Sequence, residues 1–149
     1  MTYHNALTGR ISIPLQIYHI TICTHQRTPL FRQLRTGRMV VQELKYIQDY
    51  KYADSLAWVI MPDHLHWLMQ LNETASLSSV LKRFKGRTTS VVNRHLQRTG
   101  ALWQKGFNEH ALRKEEDIKQ IARYIVANPL RANLVSKVGD YPLWDAIWL

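Results

Sequence analysis

The sequence predicts an α+β fold in which helices pack against a four-stranded antiparallel sheet. Three observations support this prediction. Short segments of strand composition alternate with longer segments of helical periodicity, two strands follow each other across a tight turn, and the element order is strand, helix, strand, strand, helix, strand, helix. The first six elements have the split βαβ, or ferredoxin-like, order. The seventh is an additional C-terminal helix that carries a tyrosine.

The first four elements are placed by composition and periodicity. Residues 15–24 are rich in β-branched and aromatic side chains and predict the first strand. Apolar residues recur at helical spacing over 36–50, which predicts the first helix. Residues 53–61 and 65–71 predict the second and third strands, joined by a tight turn at Pro62-Asp63. This close succession favours an antiparallel hairpin.

The start of the third strand carries two histidines. His64 and His66 are two residues apart, so in an extended strand their side chains point to the same face, with α-carbons about 6.5–7 Å apart. The alternate residues form an apolar face that should pack on the core: Leu65, Trp67, Met69 and Leu71. Two buried histidines could serve packing alone. Paired at this spacing beside a turn, they are better explained as ligands of one cation.

The second helix, over about 77–95, is predicted to have a strongly basic face. No acidic residue lies between Lys82 and Arg98, and helices usually mix charges of both signs. The cations are Lys82, Arg83, Lys85, Arg87, Arg94 and Arg98. Such a run is often only a solvated face. Because no acid balances it here, we expect a surface that follows a nucleic-acid backbone.

The last predicted elements are a strand and a helix. Residues 101–112 predict a final strand or bent hairpin, and the last helix should begin at Lys114 and end near Asn128, since Pro129 cannot continue it. Tyr124 and Asn128 are four residues apart and therefore share one helix face. Each has an ordinary structural explanation when taken singly. The aromatic tail could dock on the domain, on a second subunit or on bases, and docking on the chain's own body is favoured.

Composition predicts one globular domain with a polyanionic partner. The chain is long enough for one core, so we expect a single domain over 1–149 in which 1–13 and 136–149 are peripheral. The net charge of +9 favours nucleic acid over an anionic membrane surface as partner. No membrane helix or signal peptide is expected. Cys23 is the only cysteine, so a disulfide framework is excluded and a cytoplasmic location is expected.

Several motifs together resemble those of one family. They are Met61-Pro-Asp-His-Leu-His66, Leu102-Trp-Gln, His110 and Tyr124-Ile-Val-Ala-Asn-Pro-Leu-Arg-Ala-Asn-Leu-Val135. In combination they resemble the REP-associated tyrosine transposases, a group of the single-tyrosine HUH transposases of bacterial insertion sequences. The resemblance covers about residues 18–144. It implies a ferredoxin-like core, in agreement with the element order, and a bacterial, nucleoid-associated enzyme that cleaves and rejoins single-stranded DNA beside hairpins.

The resemblance also implies roles for individual residues. His64 and His66 match the metal ligands of the family, Tyr124 matches the nucleophile, and Asn128 matches the polar helix residue that completes the metal site. Two imidazoles with oxygen ligands suit Mg²⁺ or Mn²⁺ better than a closed zinc site. Attack by the tyrosine on a phosphodiester would give a 5′-phosphotyrosine and a free 3′-hydroxyl, and reversal of this step would rejoin strands.

Two residues depart from the family pattern. Asp63 stands where asparagine is common, and Asn133 stands where glycine is usual. We expect the turn to tolerate Asp63. We also expect Asn133 to be tolerated, since asparagine accepts left-handed backbone better than most residues do. Neither change touches the proposed chemistry.

Some assignments stay open at the level of sequence. Arg131 is placed to meet a phosphate, although a solvated loop arginine is about equally favoured, and His110 is a general-base candidate by residue type only. A non-catalytic module that binds hairpin DNA or RNA is the first alternative function. A metal-dependent nuclease that activates water is the second. The protein could act as a monomer or as a homodimer.

Overall fold

The computed structural model describes residues 15–112 and 115–148. These residues contain five strands and four α-helices, joined by loops and short 3-10 turns. In chain order they are β1 (Ile17–Cys23), α1 (Leu34–Asp49), β2 (Ala53–Met61), β3 (His64–Leu71), α2 (Leu77–Leu96), β4 (Asn108–Leu112), α3 (Glu115–Val126), α4 (Asn128–Arg131) and β5 (Trp144–Ala146). Residues 1–13, expected to be peripheral, and Lys114, the expected start of the last helix, lie outside the described residues.

The sheet has the order β4-β1-β3-β2-β5 and is antiparallel throughout. Its first four strands confirm the predicted ferredoxin-like order. The predicted strand number is wrong by one, because Trp144–Ala146 pairs with the outer edge of β2. A three-residue strand is too short to show a period, so the sequence pattern could not predict it. The added strand satisfies backbone groups that a bare edge would leave unpaired.

Alternation along β3 divides the core between the two faces of the sheet. Leu65, Trp67 and Met69 are fully buried on the face covered by α1 and α2, where the Trp67 ring lies 5.0 Å from that of Phe84. Leu68 is also fully buried, but on the other face, in a smaller cluster with residues of α3. Because residues two apart on a strand share a face, His64 and His66 lie on the α3 side.

The turn between β2 and β3 is fixed by its neighbours. The buried Thr24 donates its backbone N–H to the carbonyl oxygen of Asp63 at 2.9 Å. Its hydroxyl is shared between the carbonyl oxygens of Thr28, at 2.8 Å, and Asp63, at 3.1 Å. The backbone N–H of Phe31 donates to the carbonyl oxygen of Pro62 at 3.0 Å. These bonds hold in place the turn from which the first histidine projects.

The last helix ends earlier than predicted. α3 stops at Val126, and after Ala127 the separate short helix α4 starts at Asn128, with Pro129 in its first turn, where a missing N–H costs little. Tyr124 and Asn128 therefore belong to two successive helices. Asn133 has the left-handed backbone, with φ of 58°, that its place in the motif predicts.

The C-terminal tail packs on the chain's own body, as expected. Leu143 is buried in the larger core cluster beside Gly37 of α1, where an added Cβ would overlap the leucine side chain. The Tyr141 hydroxyl donates to the Ile60 carbonyl at 2.6 Å, and the Ile60 N–H donates to the Leu143 carbonyl at 2.9 Å. The segment before β5 is thus anchored to β2.

Candidate active site

The paired histidines of β3 lie edge to face. The ring centroids of His64 and His66 are 5.1 Å apart, with an angle of 84° between the ring planes. Both residues are partly buried on the sheet face that α3 covers. The two imidazoles therefore lie side by side within one chain, and their convergence on one cation stays a prediction.

His64 is oriented by a carboxylate and an arginine. Its Nδ1 lies 2.8 Å from Asp63 Oδ1, and Arg27 Nε donates to Asp63 Oδ2 at 3.0 Å. Burial acts to raise the pKa of Asp63, but hydrogen bonds from His64 and Arg27 outweigh it and lower that pKa. An ionised Asp63 accepts the Nδ1 proton of His64, which leaves Nε2 as the nitrogen able to bind a cation.

His66 is oriented by two side chains of β1. Its Nδ1 lies 3.0 Å from His19 Nε2 and 3.2 Å from Thr21 Oγ1. Burial lowers the pKa of His66 to about 3, helped by His19, His64 and Arg131. Burial lowers the pKa of His19 to about 4, with a smaller effect of His110. Both rings are neutral at pH 7, and the neutral imidazole is the form that binds metals.

His19 and Thr21 are site residues that the motifs did not reveal. In β1 they alternate with Tyr18, Ile20 and Ile22, which point into the larger core. Antiparallel pairing sets Thr21 directly opposite His66. The polar face of the first strand was the available signal, because antiparallel pairing with β3 brings that face beside the histidines.

Tyr124 faces this histidine cluster from α3. Its ring lies edge-on to His66, with centroids 6.4 Å apart and planes at 82°, and half of the residue is exposed. The Arg131 guanidinium carbon lies 3.8 Å from the Tyr124 ring centroid, and its Nη2 donates to the Tyr124 carbonyl at 2.6 Å. Arg131 thus stabilises the end of α3. Its contact with a phosphate stays a prediction.

The donor set suits a hard divalent cation. Among the residues that the structure describes, no three His, Cys, Asp or Glu side chains are grouped to hold a metal. A cation bound by His64 and His66 would therefore need oxygen ligands from another kind of group, such as the amide of the half-buried Asn128 or a substrate phosphate. Two imidazoles and oxygens fit Mg²⁺ or Mn²⁺ rather than a closed zinc site.

The predicted nucleic-acid contacts on α2 lie away from the histidines. α2 packs on the opposite face of the sheet through Phe84 and its neighbours. Lys82 and Arg94 are exposed there. The structure therefore does not bring these cations together with Tyr124, and their contact with nucleic acid stays a prediction.

Three other cations of α2 are engaged within the chain. Arg87 Nε donates to Oε1 of the buried Glu43 at 2.6 Å. The Arg83 guanidinium carbon lies 4.8 Å from the Tyr52 ring centroid, and Lys85 donates to backbone carbonyls of the loop before β4. Part of the basic character of α2 thus serves packing and ion pairing.

His110, the general-base candidate, lies on β4 directly opposite His19. It is therefore one strand further from His66 than His19 is. Its place in the register is thus beside His19 rather than beside His66, and a catalytic role for it stays a prediction.

The chain belongs to the IS200-like transposase family, whose model matches residues 12–128. Transposases of this family process DNA, which agrees with the basic composition. None of the described helices is both long and apolar enough to cross a membrane.

Individual relatives narrow the resemblance to one group. The chain is 28% identical over 136 residues to a Haemophilus influenzae protein described as a REP-associated tyrosine transposase, covering 85% of this chain and 77% of that protein. It is 33% identical over 87 residues to the REP-associated tyrosine transposase of Escherichia coli K12, covering 58% of this chain and half of that protein.

Solved structures point the same way. A REP-associated tyrosine transposase bound to a REP hairpin superposes with a TM-score of 0.75 at 25% identity, over 89% of this chain and 77% of that one. A Deinococcus radiodurans protein described as a transposase shares the fold, with a TM-score of 0.58 at 22% identity, over 79% and 94% of the two chains. These findings confirm the resemblance to REP-associated tyrosine transposases.

Proposed function

We propose that this protein is a metal-dependent transposase that cleaves and rejoins single-stranded DNA beside hairpins through a 5′-phosphotyrosine at Tyr124. The observation that carries the proposal is the edge-on approach of Tyr124 to His66 within one chain, with the tyrosine half exposed. Hairpin DNA is the proposed substrate class because the structurally similar transposase is described as bound to a REP hairpin.

The site residues have three proposed roles: holding the metal, orienting its ligands and stabilising the phosphate. His64, His66 and Asn128 would hold Mg²⁺ or Mn²⁺, which polarises the scissile phosphate when bound. Asp63 and His19 hold the two imidazoles so that each Nδ1 is occupied. Arg131, beside the tyrosine ring, adds a positive charge where the phosphate would lie.

The covalent step is a phosphoryl transfer to the tyrosine. The bond from the Tyr124 hydroxyl oxygen to phosphorus forms as the bond from phosphorus to O3′ breaks. The phenolic proton is released, and the departing O3′ takes up a proton. Because the phosphotyrosine bond keeps the energy of the broken linkage, a second 3′-hydroxyl can reverse the step and join strands without ATP.

The test is a covalent-adduct assay. Wild-type protein, Tyr124→Phe and the control Tyr50→Phe, which alters an exposed tyrosine at the end of α1, are each incubated with labelled hairpin DNA and Mn²⁺. We expect a covalent protein–DNA band with the wild type and the control only, its loss on chelation, and unchanged DNA binding by Tyr124→Phe. Cleavage by Tyr124→Phe would indicate a water-activating nuclease. Binding without cleavage by the wild type would indicate a non-catalytic module.

A further inference from the structure

We propose that a groove between α3 and β5 binds unpaired nucleotides of the single-stranded DNA next to the hairpin. This inference rests on the proposed function and adds a second binding site to it. The groove has a volume of about 430 Å³. We call it the tryptophan groove, and its main lining residues are Lys119, Arg123, Val126, Val138, Trp144 and Trp148.

Sheet register connects this groove to the candidate active site. Val59 of β2 pairs on one side with His66 and on the other with Trp144. Directly opposite residues of an antiparallel sheet share a face. Trp144 therefore lies in the same row and on the same face as His66, two strands and about 10 Å away.

The helix that carries the tyrosine also forms one wall of the groove. Lys119, Arg123 and Val126 are spaced by four and three residues and so line one side of α3, while Tyr124 projects from another side. Ala122 and Ile125 pack on the sheet between these two sides. A strand of DNA that leaves Tyr124 and passes over α3 would reach the groove.

The lining has the chemistry that single-stranded nucleic acid requires. Trp144 and Trp148 offer aromatic surface for bases, and Lys119 and Arg123 offer exposed positive charge for phosphates. Among the described residues that line the groove, none is acidic. An apolar peptide would gain nothing from the two cations, so charge complementarity favours a nucleotide as the occupant.

The tryptophans differ in how firmly they are held. The Trp144 indole N–H donates to the Val138 carbonyl at 3.1 Å, which fixes the ring as part of the wall. Trp148 is 42% exposed and is the better residue to replace. Its neighbour Ile147 is 60% exposed but faces the other side of β5, so Ile147→Ala is a matched control.

The experiment measures DNA binding without chemistry. Tyr124→Phe protein in EDTA is titrated with a fluorescent hairpin that carries a single-stranded flank and with the same hairpin lacking it. In this background we expect Trp148→Ala to weaken binding of the flanked hairpin by about 5- to 140-fold, the range that loss of base stacking produces. Binding of the hairpin without a flank should not change, and neither should binding by Ile147→Ala.

A crosslink locates the contact directly. With 5-iodouracil in the flank, irradiation should attach DNA to the peptide containing Trp144 or Trp148, and Lys119→Ala with Arg123→Ala should reduce the yield. An affinity of Trp148→Ala for the flanked hairpin equal to that of Tyr124→Phe alone, a crosslink elsewhere only, or a protein dimer that Trp148→Ala dissociates without changing DNA affinity would overturn the inference. None of these readouts needs cleavage, so failure of the groove and failure of the Tyr124 chemistry are distinguishable.

Discussion

The ring of Tyr124 approaches the ring of His66 edge-on, with 6.4 Å between the centroids. The tyrosine comes from α3 and the histidine from β3, which are separated by more than 40 residues of sequence. Their meeting follows from the sheet topology, since the α3 face of β3 carries both histidines. A single chain therefore contains the candidate nucleophile and the candidate metal ligands together.

Replacing His19 should weaken metal binding without unfolding the protein. His19 Nε2 lies 3.0 Å from His66 Nδ1, so His19→Ala removes a partner that orients a ligand. Loss of such a partner typically costs about 10- to 100-fold in metal affinity. His19→Gln, whose amide oxygen can accept the same proton, should recover most of the affinity. Calorimetric titration with Mn²⁺ measures the effect. A lower melting temperature with unchanged Mn²⁺ affinity would mean that His19 serves packing only.

Asp63 should tolerate asparagine but not alanine. The amide oxygen of Asp63→Asn can still accept from His64 Nδ1, whereas Asp63→Ala leaves that nitrogen without its partner. Both variants also remove the negative charge that pairs with the exposed Arg27. This loss should change the free energy of unfolding by less than about 1 kcal/mol. Mn²⁺ titration of the two variants provides the comparison. Equal affinities would show that Asp63 does not orient His64.

The exposed cations of α2 should contribute a salt-dependent part of DNA binding. The double variant Lys82→Ala with Arg94→Ala should bind DNA more weakly. The logarithm of its binding constant should fall less steeply with the logarithm of salt concentration, because fewer counterions are released. Arg83 and Arg87 are left intact because they pack on Tyr52 and pair with Glu43. Hairpin titrations between 50 and 200 mM salt, about the range over which such effects are large, measure the slope. A slope equal to that of the wild type would remove α2 from the DNA path.

Tyr141 should stabilise the tail most at neutral pH. Its hydroxyl donates to the Ile60 carbonyl, and burial raises its pKa to about 12. Tyr141→Phe should lower the free energy of unfolding at pH 7 by about 0.5–1.5 kcal/mol. Because the folded pKa lies above the unfolded value near 10, this stabilisation is complete below pH 10 and is lost as the pH rises through 12. In urea unfolding, the free energies of unfolding of the wild type and Tyr141→Phe should converge over that range. A difference between them that does not change with pH would contradict this role of the Tyr141 hydroxyl.

The elements with a clear period were predictable, and those set by tertiary contacts were not. Trp67 and its neighbours alternate cleanly, so β3 and its buried face follow from the sequence. β5 needs the free edge of β2 to form. The break at Ala127 has a different, local cause. Pro129 was expected to end the last helix but occupies the first turn of a new one.

The candidate site likewise contains residues that the sequence predicted and residues that only the fold brings together. His64 and His66 share a face through local spacing alone, and Tyr124 was found through its motif. His19 and Thr21 join them only because β1 pairs with β3, which no local pattern states. The orienting contact from Arg27 to Asp63 depends on a loop conformation in which Arg27 has a φ of 54°. Such contacts require the register and loop geometry of the folded chain.

The most direct measurement is the identity of the residue joined to DNA. Wild-type protein trapped with hairpin DNA and Mn²⁺ is digested with nuclease and trypsin, and the peptides are weighed by mass spectrometry. We predict a 5′-nucleotide phosphate on Tyr124, in the tryptic peptide that spans 124–131. An adduct on any other residue, or cleaved DNA with no covalent adduct, would contradict the proposed tyrosine mechanism.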